Sequence, residues 1–176
     1  MTTGTELLAA ARVAEPIELA ARFGRGTDGS AARAALVAAL LSQHTDSDRT
    51  LIRHLTQLEI DHVQALGDGC GDVLLACCWL LFRLGEVGDS ALVWRAKQLN
   101  FDTHCYIDSE FLAPRGGAAT VEFARAHGLP ELADWVGADP LLDDADHVDQ
   151  CRESSFFGQV PPADAPAEEL ASWIRP

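Results

Sequence analysis

Five side chains that could bind or transform a ligand lie within residues 93–112: Trp94, Lys97, Asp102, His104 and Asp108. Lys97 is the only lysine, whereas the other twelve cationic residues are arginines. A lysine ammonium that is partly removed from water has a lowered pKa and can serve catalysis or ligand binding, with Asp102 or Asp108 as its counter-charge. The structural alternative, which we favour for Lys97, is an ion pair that fixes the segment after its helix. We predict a binding site around these five residues and assign catalysis to none of them.

Residue types that ligate metals occur at two places, and neither place completes a site. His104 follows Asp102 by two residues, and Cys151 follows His147 by four, which puts the second pair on one face of a helix. No CxxC pair or HExxH motif accompanies them, and the GxSxG, dinucleotide-binding and kinase motifs are missing from the sequence. Two ligands do not hold a metal ion, and the aspartates around His147 are typical of a solvated strip. The prediction is therefore no metal, no cofactor and no catalytic residue.

The elements that must position these side chains are predicted to be helices. Ala and Leu dominate the periodic stretches, and strand-like alternation is hard to find. The longest apolar run, Val73 to Phe82, is apolar on nearly all sides, so we expect it to lie in the central helix. The next predicted helix, Ala91–Leu99, carries Lys97 on the flank of its inward stripe. That stripe is predicted to consist of Leu92, Ala96 and Leu99.

The remaining helices follow from apolar periodicity and from capping residues at their ends. They are predicted over Thr5–Ala14, Pro16–Phe23, Asp28 or Ser30 to Leu41, from a cap at Asp46, Ser47 or Asp48 to Leu66, and over Val73–Leu84, Ala118–His127, Pro130–Val136 and Pro166–Ile174. The inward face of the helix ending at Leu66 is predicted to be Leu51, Leu55, Leu58, His62 and Leu66. Short helices joined by tight loops indicate an all-α fold, an α-α packed array that is either helical-repeat-like or an irregular bundle.

Charge and composition divide the chain into a helical domain, residues 1–138, and an acidic C-terminal extension, residues 139–176. The net charge is −14, and the extension holds nine acidic residues against two arginines. We expect the extension to be mostly irregular over 137–165 and to pack back on the body through its large apolar residues. An acidic surface repels phosphate backbones, which argues against nucleic-acid binding and favours a basic partner.

Cysteine content and hydropathy bear on the compartment. The chain has five cysteines, an odd number, and no export signal, so we expect reduced thiols in a cytoplasmic protein. The apolar run Val73 to Phe82 is ten residues long, whereas a membrane-spanning helix needs about twenty. We therefore predict no membrane association.

The segment after the apolar helix has a distinctive sequence pattern. It contains Trp94-Arg95-Ala96-Lys97, Asn100-Phe101-Asp102-Thr103, Ile107-Asp108 and Phe111-Leu112. This W-x-AK-x-x-NFDT pattern, within roughly Gly67 to Val136, resembles a family of uncharacterised bacterial all-helical proteins. The resemblance covers less than half of the chain; it implies an all-helical fold and brings no activity or site residue.

Three functions remain open at this point. The first, which we favour, is a non-enzymatic protein-binding module, in its sharper form immunity- or antitoxin-like, that binds a basic partner through an acidic surface. The second is an enzyme or small-ligand-binding protein with a pocket around Lys97, Asp102, His104 and Asp108. The third is a structural role in an assembly, such as a homodimer.

Overall fold

Helix follows helix through the residues that the computed structural model describes, which are 2–14, 23, 27–67, 69–156 and 160–173. These ranges contain ten α-helices and no β-strand, which confirms the all-α prediction. The helices are α1 (Gly4–Ala11), α2 (Thr27–Gln43), α3 (Arg49–Leu66), α4 (Asp72–Leu84), α5 (Ser90–Lys97), α6 (Phe101–Tyr106), α7 (Gly117–Ala126), α8 (Pro130–Gly137), α9 (Ala145–Glu153) and α10 (Ala167–Trp173). Short 3-10 turns lie at Asp46–Asp48, Val87–Asp89, Ser109–Leu112 and Pro140–Asp143.

The apolar helix α4 is the centre of the core, as its composition predicts. All residues from Val73 to Phe82 are buried, and α2, α3, α5, α9 and the Ser109–Leu112 turn pack against it. Each large apolar side chain removed from water in this way contributes about 1.5–3 kcal/mol. The helix ends at Gly85, whose φ of 69° is the left-handed conformation that glycine adopts at little cost.

Helix α3 buries a different face from the predicted one. Leu66 is 47% exposed and His62 is only partly buried, so the face predicted to run from Leu51 to Leu66 leaves the core in its second half. Its buried residues are Leu51, Ile52, Leu55, Thr56, Glu59, Ile60 and Val63. The rotation brings the Glu59 carboxylate into the interior, where it forms an ion pair with buried Arg33 of α2.

Helix α5 is rotated from its prediction in the same sense. Leu92 and Leu99 are only partly buried, whereas Val93, Trp94 and Lys97 are buried. Lys97 therefore lies in the inward face and not on its flank. The polar residue is accommodated there because its charged end reaches backbone carbonyls, which satisfy a buried cation.

The stretch 137–165, predicted to be mostly irregular, contains the Pro140–Asp143 turn and helix α9. Asp144 caps α9: its Oδ1 accepts hydrogen bonds from the backbone N–H groups of Asp146, at 3.0 Å, and His147, at 3.3 Å. Only Val148 of this helix is buried. Such a helix has almost no apolar periodicity, so its cap was the one local signal that could have located it.

Residues of the C-terminal extension contact the helices that precede it. The Phe156 ring packs edge-on against Trp79, with centroids 5.7 Å apart, and α10 packs on α2 through buried Leu170 and Trp173. Leu141 is one of the large apolar residues through which we expected the extension to pack on the body, but it is 54% exposed. The predicted helix from Pro16 lies outside the described residues except for Phe23, and Phe157 lies outside them too.

The structure bears on the state of the cysteines and on the length of the apolar helices. All five cysteines are free thiols. None of the helices in the described ranges combines the length and the apolar character that crossing a bilayer requires.

Candidate functional site

Lys97 joins helix α5 to the end of helix α6. Its Nζ donates hydrogen bonds to the carbonyl oxygens of His104 and Ile107, each at 2.5 Å, and the side chain is 3% exposed. Burial lowers the pKa of Lys97, and the nearby Asp108 charge partly opposes that shift. The ammonium binds carbonyls at the end of the short helix α6. The contact of Lys97 is therefore that of a cation at a helix C-terminus and not the ion pair that we favoured from the sequence.

Helix α6 starts where the NFDT residues make a closed set of hydrogen bonds. Asn100 caps the helix, its Oδ1 accepting from the Thr103 N–H at 2.9 Å, and its Nδ2 donates to the Gly69 carbonyl at 2.9 Å. Asp102 Oδ2 accepts from the Gly69 N–H at 3.0 Å. Asn100 and Asp102 therefore hold both polar groups of one glycine. Asn100, Asp102 and Thr103 thus have a structural explanation here, which is the docking of α6 on the loop before α4.

Asp108 lies at the other end of α6 and is exposed. Partial burial of its carboxyl raises the pKa of Asp108, the Glu110 charge raises it further, and Lys97 lowers it. The charges of Lys97 and Glu110 therefore both act on Asp108, whereas Asp102 is engaged with Gly69. The four polar residues predicted to surround one pocket are divided between two ends of a six-residue helix.

The aromatic residues of the segment meet a partner that the sequence did not single out, Trp135 of α8. The Trp135 ring is 4.9 Å from His104, edge-on, and 5.8 Å from Trp94, centroid to centroid. Its Nε1 donates to Ser109 Oγ at 3.3 Å, and Lys97 Nζ lies 5.6 Å from its centroid. Trp135 is nevertheless 37% exposed. It is a fixed aromatic surface that still faces solvent.

An open groove of about 730 Å³ runs along this aromatic cluster, and Trp94, His104 and Trp135 form its apolar wall. The rest of the lining consists of Ala138, Pro140 and five polar residues, Gln98, Ser109, Glu131, Asp134 and Asp139. Three of these are carboxylates, and the lining contains no arginine or lysine. Aromatic faces beside carboxylates form an environment that attracts a cation.

Two of the predicted site residues, Trp94 and His104, line this groove, while Lys97 is buried next to its wall. The acidic residues of the lining come from α8 and the turn after it, beyond the segment that the sequence emphasised. The sequence feature that could have located this wall is Trp135 itself. A tryptophan between Asp134 and Val136 on a short amphipathic helix packs either in the core or against a partner at the surface.

A second cluster joins the Ser109–Leu112 turn to helix α9. Glu110 Oε1 lies 3.0 Å from His147 Nε2, and Cys151 Sγ lies 3.7 Å from the same nitrogen. All three side chains are partly buried, and their ligand atoms lie within 4.8 Å of one another. Burial raises the pKa of the Cys151 thiol, and the Glu110 and Asp108 charges raise it further. The pair His147 and Cys151 noted in the sequence thus gains a third residue in the structure.

Comparison of the chain with family models, with curated proteins and with solved structures gave no match. The comparisons therefore transfer no activity to the chain.

Proposed function

We propose that this chain is a non-enzymatic protein-binding module that takes an arginine- or lysine-bearing segment of a basic partner into the groove whose wall is formed by Trp94, His104 and Trp135. The observation that carries the proposal is the composition of that groove. An exposed, fixed tryptophan lies beside three carboxylates, Glu131, Asp134 and Asp139. A basic toxin, as in the immunity-like hypothesis, is one narrower form of such a partner.

The groove offers an arginine two interactions at once. A guanidinium stacked on an indole gains about 0.5–2 kcal/mol from the cation–π interaction, depending on how far it is desolvated. Its planar N–H groups also match a carboxylate in the bidentate geometry that a lysine cannot make. Of the two basic residues, arginine is therefore the better ligand for this groove.

The positive charge of Lys97 opposes the binding of a cation in the groove, but the surrounding charges outweigh it. Lys97 is 3% exposed, and its ammonium donates to two carbonyl oxygens, whose partial negative charges offset part of its positive charge. The three carboxylates of the lining outnumber this single charge, and the whole chain has a net charge of −14. The long-range field favours the approach of a basic protein and raises its association rate at low salt.

The alternative, an enzyme or ligand pocket around Lys97, Asp102, His104 and Asp108, has less support from the geometry. Lys97 Nζ and the Asp102 carboxylate both bind backbone groups, so neither is directed to a common ligand. A catalytic arrangement needs groups that converge on one reacting atom. The groove beside them could still take a small organic cation, which the experiment distinguishes.

The test is a titration of the full chain, followed by tryptophan fluorescence, with a short peptide that carries two arginines between glycines. The matched peptide has citrulline, which is neutral and of the same shape, at both positions. We expect the arginine peptide to bind more tightly by at least tenfold and its affinity to fall with added salt. Asp134→Asn should weaken binding, whereas Glu122→Gln, an exposed carboxylate of α7, should not.

Trp135→Ala is the second variant to test, and its binding is measured by calorimetry because the substitution removes the exposed tryptophan of the groove. Binding should fall at least tenfold, while circular dichroism shows the helices retained. Equal affinity for the arginine and citrulline peptides would refute the proposal. Binding of arginine amide as tightly as the peptide would favour the small-ligand alternative.

A further inference from the structure

Glu110, His147 and Cys151 bring a carboxylate oxygen, an imidazole nitrogen and a thiol sulfur within 4.8 Å of one another. His147 Nε2 is 3.0 Å from Glu110 Oε1 and 3.7 Å from Cys151 Sγ. The His147–Glu110 contact is an ordinary hydrogen bond, but the Cys151 sulfur, a weak donor and acceptor, makes only a long contact with the same nitrogen. Three donor atoms directed at one another are the arrangement that a shared cation would satisfy.

Two of the three ligand-atom distances are close to those of a tetrahedral transition-metal site. With metal–oxygen and metal–nitrogen bonds of about 2.0 Å and a metal–sulfur bond of about 2.3 Å, tetrahedral angles separate the ligand atoms by about 3.3–3.5 Å. The distances from His147 Nε2 to its two neighbours fall within about 0.3 Å of those values. The third separation is within 4.8 Å, which a small side-chain rotation of Glu110 or Cys151 can close.

We propose that Glu110, His147 and Cys151 form a zinc site between the Ser109–Leu112 turn and helix α9. Thiolate, imidazole and carboxylate are the donors that zinc accepts, whereas magnesium and calcium prefer oxygen alone. Three protein ligands leave the fourth position to water. This site does not depend on the proposed groove, although Ser109, which holds Trp135, is the neighbour of Glu110.

The backbone on both sides of the site is already held in place. His147 and Cys151 are one turn apart on α9, whose first turn is capped by Asp144. Val148 of α9 and Phe111, which follows Glu110, are both buried in the core. Ligands on fixed elements lose little freedom on binding an ion, which favours affinity. A bound ion would tie the start of the C-terminal extension to the body.

The test uses untagged full-length protein, stripped with chelator and titrated with Co²⁺. We expect one Co²⁺ per chain, with a thiolate-to-cobalt charge-transfer band in the near ultraviolet and the strong visible bands of four-coordinate cobalt. Zn²⁺ should displace it and raise the Tm of the protein. Cys151→Ser should abolish the charge-transfer band, and Glu110→Gln should weaken Co²⁺ binding at least tenfold while keeping the band.

The matched control is Cys105→Ser, which removes an exposed cysteine from helix α6 and should change neither the band nor the stoichiometry. The proposal fails if millimolar Co²⁺ produces no thiolate band, or if the band survives in Cys151→Ser. If Cys151→Ser loses its helical circular dichroism, Glu110→Gln decides the question: unchanged Co²⁺ affinity in that variant overturns the site.

Discussion

At the scale of single residues, the lone lysine has a structural explanation. Lys97 bonds two carbonyls of one chain segment and lies against an indole. A compact ammonium with three donors can do this in a space where a planar guanidinium, which is larger, would need a wider opening. The residue that looked most functional in the sequence is thus the one that holds α6 in place.

We expect Lys97→Met to lower the free energy of unfolding by about 2 kcal/mol, since two carbonyls lose charge-assisted hydrogen bonds while the apolar stem is retained. Urea unfolding followed by circular dichroism measures the loss. The matched control is Arg95→Met, on the same helix, whose side chain is exposed and donates to the Gln57 side-chain carbonyl at 3.0 Å. That variant should lose less than about 0.5 kcal/mol.

The same pair of variants separates structure from function at this position. A Lys97→Met protein as stable as Arg95→Met would show that the two carbonyl contacts do not matter to folding. If it then failed to bind the arginine peptide, Lys97 would belong to the site itself and not to its support.

At the scale of elements, the face that a helix buries depends on partners from far along the chain. Glu59 is 4% exposed, and it lies in the core because Arg33, 26 residues earlier, is there to pair with it. Arg33 also donates to the Phe23 carbonyl at 2.7 Å and to Ser30 Oγ at 3.2 Å. This interior pair joins α3 to α2 and to the segment before α2.

We expect Glu59→Leu to destabilise the protein by about 3–5 kcal/mol, because it leaves the buried Arg33 charge without its carboxylate. Gln64→Leu is the matched control: it introduces the same side chain at an exposed position of α3, and it should shift stability by about 0.5 kcal/mol or less. Both are measured by urea denaturation. A loss for Glu59→Leu no larger than for Gln64→Leu would mean that the ion pair does not stabilise the fold.

Helices were predictable from local pattern, and their contacts were not. The uniformly apolar Val73 to Phe82 identified the central helix without any knowledge of its neighbours. The faces of α3 and α5 were misjudged, since each buries a charged residue whose partners periodicity does not reveal. These are the Arg33 side chain for Glu59 and the carbonyls of His104 and Ile107 for Lys97. For the candidate site, the sequence identified residues 93–112. Trp135, 31 residues after His104, joins the site only because the tertiary fold packs it against Trp94 and His104.

At the scale of the whole molecule, the N-terminal helix, α2 and the C-terminal extension meet at one small residue. A Cβ built on Gly4 would lie 2.6 Å from the Ala35 carbonyl oxygen of α2 and would collide with the carbonyl oxygen of Ala163. Both obstacles are backbone atoms, which cannot swing away as a side chain can. The absence of a side chain at Gly4 therefore allows α1 to pack against body and extension together.

We expect Gly4→Ala to lower the free energy of unfolding by about 1–3 kcal/mol, the usual cost of overpacking, despite the better helix propensity of alanine. Since Ala163 precedes α10, amide hydrogen exchange over residues 163–173 should also speed up as the extension loosens. The matched control is Gly88→Ala, where the nearest atom is a side-chain carbon of Phe123 at 3.9 Å, an ordinary contact. Equal stability of the two variants, with unchanged exchange at the C-terminus, would show that the close approach at Gly4 does not hold the extension to the body.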